Sequence, residues 1–339
     1  MVGNGRGILA ADESVATMNK RLEATGVAPT AEQRCAYREM LLTTPGLCDS
    51  ISGIILSDDI FTAQVSDGRP FPDACREAGL LPGIKVDTGA KPLANAAGET
   101  VTEGLDDLRA RLELYASAGA AFTKWRAVIQ IGERLPSRRA LVANSHALAR
   151  YATLVQEAGL TPIVEPEVLM DGSHGLDRCE EVTQTVLHTV FEQLAEQGVV
   201  LEGTVLKPNM VLAGSDCEPR AGTDEVAAAT VRTLRSTVPA AVAGVAFLSG
   251  GQGVDQATAH LAAINALGPQ PWELSFSFGR ALVDEALQAW RGDPQRTGAG
   301  QDALVARARA NADARAVWAA PAGSWPGRAQ RRSAASCRR

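Results

Sequence analysis

Apolar and polar positions fall into two alternating kinds of block along this chain. Short apolar runs, many of them β-branched, recur eight times, and nearly every one ends on a polar or ionisable residue. Gly7-Ile-Leu-Ala-Ala11 runs into Asp12, Ile51-Ser-Gly-Ile-Ile-Leu56 into Ser57-Asp58-Asp59, and Gly83-Ile84 into Lys85-Val86-Asp87. Ala120-Ala-Phe-Thr123 leads into Lys124-Trp125-Arg126, Thr161-Pro-Ile-Val164 into Glu165-Pro166-Glu167, and the stretch from Leu201 to Leu206 into Lys207. Val242 to Leu248 ends at Ser249-Gly250-Gly251, and Glu273 to Phe278 at Gly279-Arg280. Runs of this length and composition predict buried strands. Between them lie stretches with apolar residues at helical spacing, such as Glu103 to Ala118, Arg138 to Ala158, Arg178 to Gln197, Thr223 to Val238 and Val254 to Ala266.

Strand alternating with helix eight times predicts an α/β fold, a parallel (β/α)8 TIM barrel. An open doubly wound sheet would want a Gly-rich fingerprint after its first strand. Gly3-Asn-Gly-Arg-Gly7 precedes that strand instead, which disfavours it. The expected organisation is one barrel domain over residues 1–318 and a disordered Ala/Pro/Arg-rich tail over residues 319–339. After Trp325 the tail has five arginines and no acid, a composition that does not build a core. It suits a plain unstructured end, or one that touches RNA or acidic surfaces.

In such barrels the C-terminal strand ends carry the active site. Lys124/Arg126 and Glu165/Glu167 are each spaced i, i+2, which on a strand puts both members on one face. Pro166 between the glutamates also marks possible irregularity there. Burying two carboxylates and three cations together is a poor structural choice, since apolar packing would stabilise more. As chemistry it makes sense, because neighbouring charges separate acid from base roles. Trp125 points to the opposite face and reads as barrel–helix packing.

Charge and composition then narrow the function. The 339 residues carry a net charge of −6 and are 45% hydrophobic, enough for a large core. A mildly acidic chain is a poor general binder of nucleic acid. Six scattered cysteines without C-x-x-C spacing and four histidines without ligand spacing argue against a disulfide framework or a metal site. They fit a reducing cytoplasm. The first residues show no signal-peptide core, and no apolar run is long enough to span a bilayer. The cysteines read as small hydrophobes, and His174 as a surface loop residue.

Of 33 basic residues only five are lysine: Lys20, Lys85, Lys91, Lys124 and Lys207. A lysine retained against so strong an arginine bias points to chemistry that arginine cannot do, namely deprotonation and imine formation. Lys207 ends a short strand that Pro208 cannot continue. With Leu206, Met210 and Val211 nearby, desolvation is expected to lower its pKa and free the amine as a nucleophile. The alternative, a barrel lysine held charged by a carboxylate, ranks slightly ahead on this stretch alone; the rest of the chain reverses that order. Lys91 has no motif around it.

Ser249-Gly-Gly-Gln-Gly253 follows the seventh run, and Gly279-Arg280 opens the helix after the eighth. Glycines that admit an anion to backbone N–H groups, and a helix N-terminus, make a phosphate site there more than a plain tight turn. A second anion site is readable near Asp12-Glu-Ser14 and Lys20-Arg21. Ser14 also reads as a helix N-cap, and Lys20-Arg21 as solvated surface.

Nine stretches together resemble the class I fructose-1,6-bisphosphate aldolases. They are Gly7-Ile-Leu-Ala-Ala-Asp-Glu-Ser14, Asp67-Gly-Arg-Pro-Phe-Pro72, Gly83-Ile-Lys-Val-Asp87, Lys124-Trp-Arg126, Pro162-Ile-Val-Glu-Pro-Glu167, Leu201-Glu-Gly-Thr204, Leu206-Lys-Pro-Asn-Met210, Phe247-Leu-Ser-Gly-Gly251 and Phe278-Gly-Arg-Ala-Leu282. The resemblance implies a metal-independent, cofactor-free lyase. It would cleave fructose 1,6-bisphosphate reversibly to dihydroxyacetone phosphate and glyceraldehyde 3-phosphate. Lys207 would form the Schiff base with the C2 ketone. Glu165 would be the acid/base that expels water, with Glu167 its partner. Asp12 would take part in deprotonating the C4 hydroxyl, and Lys124 would stabilise negative charge at the reacting centre. Ser14, Thr17, Arg21 and Lys85 match the far-phosphate positions. Ser249, Gly250, Gly279 and Arg280 match the C1-phosphate positions, with Arg126 beside them. A protonated imine is a far better electron sink than a ketone, so cleavage leaves a neutral enamine without a metal. The family commonly forms homotetramers.

Two departures stand beside the resemblance. The family usually carries a helix before its first strand, and it ends in a terminal tyrosine that protonates the enamine. Here the chain starts almost at the strand, and its last tyrosine is Tyr151. The expectation is a divergent tail with slow enamine protonation. A related Schiff-base aldolase acting on another phosphosugar, or a degenerate aldolase serving as a sugar-phosphate scaffold, are the competing readings.

Overall fold

The computed structural model describes residues 1–316. The strands are β1 (Gly7–Ala11), β2 (Ile51–Leu56), β3 (Leu81–Lys85), β4 (Gly89–Pro92), β5 (Thr100–Glu103), β6 (Phe122–Ile129), β7 (Thr161–Val168), β8 (Val205–Leu206), β9 (Gly244–Phe247) and β10 (Leu274–Phe278). Helices α1 (Val15–Ala24), α2 (Ala31–Leu42), α3 (Asp58–Phe61), α4 (Phe71–Glu77) and α5 (Leu108–Ser117) belong to the first half. Helices α6 (Arg138–Glu157), α7 (Leu176–Glu196), α8 (Thr223–Thr237), α9 (Val254–Ala266), α10 (Arg280–Trp290) and α11 (Thr297–Arg315) complete the described chain. Eight strands close a parallel barrel in the order β1, β2, β3, β6, β7, β8, β9, β10, as the alternation predicts. The expected domain boundary at 318/319 and the tail 319–339 lie outside the described residues.

The strand period of two sorts side chains into two cores. Ile8, Ala10, Ile55, Phe122, Ile163, Val205 and Ala246 fill the barrel interior, and Val2 joins them from below. Their neighbours in sequence, among them Leu9, Ala11, Ile54, Trp125 and Val164, belong to the layer between barrel and helices. Trp125 packs on Tyr151 of α6 with ring centroids 5.5 Å apart, the outward packing the sequence predicts. Inside, Gly83 makes room for an aromatic ring, since a Cβ there would lie 2.2 Å from Phe122.

That same parity carries each apolar floor residue up to a functional one two positions later. Ala10 is followed by Asp12, Gly83 by Lys85, Phe122 by Lys124, Ile163 by Glu165 and Val205 by Lys207. The barrel is therefore apolar below and ionic above as a direct consequence of pleat geometry.

Two local readings change. The strand expected from Leu201 begins at Val205, because Leu201–Gly203 form a single 3₁₀ turn. The helix expected from Glu103 begins at Leu108. Glu103 instead pairs with Gly89 in the antiparallel hairpin β4–β5, whose alternating Thr-Val-Thr-Glu favours a strand.

Candidate active site

All fourteen residues singled out from the sequence as catalytic or substrate-binding line one cavity of about 350 Å³ at the C-terminal end of the barrel. That volume is within the range of single small-molecule sites.

Its floor is a chain of four ionisable groups, Asp12 and Lys207 just past the ends of β1 and β8 and Lys124 and Glu165 within β6 and β7. Lys124 Nζ lies 2.6 Å from Asp12 Oδ2 and 3.0 Å from Glu165 Oε2. The second contact is close but not aligned as a hydrogen bond. Glu165 Oε1 lies 3.2 Å from Lys207 Nζ. The order is thus Asp12–Lys124–Glu165–Lys207. Lys124, Glu165 and Lys207 are all 4% exposed or less, so water screens these attractions weakly.

Burial and charge compete at each member. Burial pushes the Asp12 carboxyl up, but Lys124 and Lys207 pull it down further, from its ordinary 3.8 to about 2. Burial likewise pushes Glu165 up, and Lys124, Lys207 and Arg126 hold it below the usual glutamate value. Burial pushes Lys124 down, while Asp12 and Glu165 raise it well above the ordinary lysine value. The resting site therefore holds ionised carboxylates and a charged Lys124 at neutral pH. Lys207 is buried, as are Leu206, Met210 and Val211 beside it in sequence. It also finds Glu165, a partner from another strand that its own segment cannot reveal.

One layer up, Arg126 Nε donates to Glu167 Oε2. The strand register sets Arg126 opposite Glu165 and Val128 opposite Glu167, so the i, i+2 pairs share a face even with Pro166 between the glutamates. Asp87 was not singled out as a site residue, yet it braces this layer. Its Oδ1 is 2.7 Å from Lys85 Nζ and its Oδ2 accepts from the Arg126 N–H at 3.1 Å. Its spacing of two from Lys85 was the available signal.

Ser14 is the N-cap of α1, accepting from the Thr17 N–H at 3.3 Å. It also lines the cavity, so its capping role does not take it out of the site. Arg21 lines the cavity while paired with Glu13 and, at 2.7 Å, with Asp284. On the other strands, Ser249 and Gly250 enter a turn in which Gly250 and Gly251 have left-handed φ of 55° and 80°. Gly279 caps the N-terminus of α10. Arg280 is exposed and makes no ion pair among the described residues.

Ser277 also lines the cavity and was missed. It is 1% exposed, and its hydroxyl has no hydrogen-bond partner. The alternation Leu-Ser-Phe-Ser-Phe278 held the signal, since Phe276 and Phe278 pack outward. Among the described residues no group of three or more His, Cys, Asp or Glu is placed to hold a metal ion.

A family model described as "Glycolytic: Fructose-bisphosphate aldolase class-I" matches residues 1–335. The "probable fructose-bisphosphate aldolase class 1" of Xanthomonas axonopodis pv. citri is 56% identical over 293 residues, covering 86% of this chain and 88% of that protein. The cytosolic fructose-bisphosphate aldolase 4 of Arabidopsis thaliana is 50% identical, covering 91% of this chain and 79% of that protein. The fructose-bisphosphate aldolase of Plasmodium falciparum, solved in complex with TRAP and a small molecule inhibitor, superposes with a TM-score of 0.91. It is 45% identical, covering 93% of this chain and 91% of that chain.

Proposed function

This chain belongs to the class I fructose-bisphosphate aldolase family, and from that premise we propose how its own residues carry the cleavage of fructose 1,6-bisphosphate. The observation that carries the reading is the contiguous Asp12–Lys124–Glu165–Lys207 chain. Glu165, ionised at rest, takes a proton from the Lys207 ammonium. The freed amine adds to the C2 carbonyl carbon of the open-chain sugar, and one N–H proton passes to the former carbonyl oxygen to give a carbinolamine. Glu165 then returns its proton to the departing hydroxyl as water leaves and the protonated imine forms.

Asp12, also ionised, takes the C4 hydroxyl proton. The C3–C4 bond breaks, its electron pair moves into the imine, and an enamine on Lys207 and an aldehyde result. Lys124, between Asp12 and Glu165, keeps both carboxylates charged and steadies negative charge developing at the reacting oxygen. Arg126 holds Glu167 beside this pair. Ser249, Gly250, Gly279 and Arg280 receive the C1 phosphate, while Ser14, Thr17, Arg21 and Lys85 receive the far one. Ser277 supplies its free hydroxyl to substrate within the barrel. A cytoplasmic homotetramer is the expected setting. Among the described residues no helix is long and apolar enough to cross a membrane, and light scattering measures the assembly.

The decisive experiment is borohydride reduction with dihydroxyacetone phosphate and excess chelator, followed by peptide mass mapping. The expected result is an adduct on Lys207. A folded protein that gives no adduct overturns the mechanism and leaves a phosphosugar-binding scaffold.

A further inference from the structure

One buried histidine takes no part in the chemistry above. His260 on α9 is 2% exposed, and its Nδ1 lies 2.6 Å from Gln252 Oε1. Gln252 is itself buried. Its Nε2 donates to the Ser249 carbonyl oxygen at 2.9 Å, and its backbone N–H reaches the same oxygen at 3.0 Å. Two bonds from one residue thus close the turn from Ser249 to Gln252. That turn lines the cavity through Ser249 and Gly250.

An amide can sit two ways round, and only one serves this turn. With Oε1 towards Ser249, two oxygens would face each other and the Ser249 carbonyl would keep only the backbone N–H as donor. The histidine locks the arrangement seen here when its proton sits on Nδ1. An imidazole carrying its proton on Nδ1 needs an acceptor, so it holds Gln252 Oε1 and turns the NH₂ group to Ser249. The other tautomer would favour the reverse. Burial pushes the His260 pKa down, so near neutral pH the tautomer rather than the charge sets the amide.

We infer that His260 is a positioning residue for the C1-phosphate end of the site, acting through Gln252 to fix the Ser249–Gly251 turn. The inference rests on the assignment of Ser249, Gly250, Gly279 and Arg280 to that phosphate. His260 lies outside the cavity lining, so its effect passes through Gln252.

The test compares half-saturation for borohydride trapping by dihydroxyacetone phosphate with that by dihydroxyacetone, which lacks the phosphate. His260→Leu is expected to raise the first about tenfold, the scale of a small mispositioning, and the second less than twofold. His260→Asn keeps a donor at the Nδ1 position and is expected to restore the wild-type ratio. Gln252→Met removes the amide at similar length and should shift the ratio as His260→Leu does, should the leucine variant not fold. An unchanged ratio in the folded variants overturns the inference, and so does an equal shift for both ligands. Arg280→Ala separates the two failures. If it shifts the ratio and His260→Leu does not, the positioning role alone is wrong. If neither shifts it, the phosphate assignment fails as well.

Discussion

At the upper end of the barrel two buried lysines face carboxylates; at the lower end one buried guanidinium faces carbonyl oxygens. Arg315, at the end of α11, donates to the backbone oxygens of Leu274 at 2.9 Å, Arg6 at 2.6 Å and Val2 at 2.8 Å. Its one acidic partner, Glu273, is largely exposed. Burial accordingly pushes the Arg315 pKa down, with Glu273 offsetting only part of it. Lys124 shows the opposite balance, because Asp12 and Glu165 outweigh its burial. Carbonyl oxygens do not exchange protons, so the lower cation is a fixed clamp that ties α11 to the strand starts. Carboxylates do, so the upper cations sit in a circuit through which a proton can move. A buried charge is expensive in both places, and the chemistry of its partner decides whether the result is structure or catalysis.

The sharpest break of the comparison is Lys207→Arg, which keeps the charge and removes the imine-forming amine. Turnover should fall by roughly 10⁴-fold or more while the thermal midpoint stays close to wild type; residual cleavage at a tenth of the normal rate would contradict the assignment. Glu165→Gln comes next, with an expected loss of about 10²–10⁴-fold in kcat. It should also lower stability by about 3 kcal/mol, since two buried lysines lose a shared counter-charge. Denaturant unfolding alongside steady-state kinetics reads both.

Arg315→Met tests the other end. It should lower stability by about 3 kcal/mol, because buried carbonyls lose charged donors, while kcat per folded molecule is unchanged. A drop in kcat without a drop in stability would erase the distinction between the two ends.

The pH profile sharpens the difference further. The folded pKa of Asp12, about 2, lies below its ordinary 3.8. Its ion-pair contribution is therefore present above 3.8 and lost as pH falls towards 2. Lys124 is raised above its ordinary 10.5, so its contribution is present below 10.5 and lost as pH climbs further. The stability gap between wild type and Asp12→Asn should be flat between those limits and shrink outside them. Urea titrations would show no shrinkage of the gap as pH falls from 3.8 towards 2 if the pairing were absent.

Ser277→Ala is the smallest effect. Its hydroxyl has no partner in the free protein, so stability should move by less than about 1 kcal/mol. Catalytic efficiency, kcat/KM, should fall about tenfold, the worth of one hydrogen bond to substrate. A large loss of stability would place that hydroxyl in the fold rather than the site.

Much of this site was legible because strand parity is local. Lys124 and Arg126 share a face whatever lies around them, and so do Glu165 and Glu167. Trp125 between them had to point outward. Arginine bias made Lys207 and Lys124 conspicuous before any fold was known. Asp87 and Ser277 carried the same parity signal but lacked a conspicuous residue type. The hairpin β4–β5 was hidden because its strands are only four residues each and its last residue, Glu103, read as the start of a helix. His260 gave no signal, since its partner Gln252 becomes meaningful only once the turn beside it is closed.

The sequence by itself determined the eight strands, the faces their side chains take and the residue types gathered at one end. Those follow from backbone geometry over a few residues. Which cation meets which carboxylate was decided only in the tertiary structure. Asp12, Lys124, Glu165 and Lys207 come from β1, β6, β7 and β8, and closing the barrel is what brings them within 2.6–3.2 Å of one another. Desolvation alone would have left Lys207 a lone buried amine. Pairing of β7 with β8 supplies Glu165, because electrostatic partners are set by distance in space and not by distance along the chain.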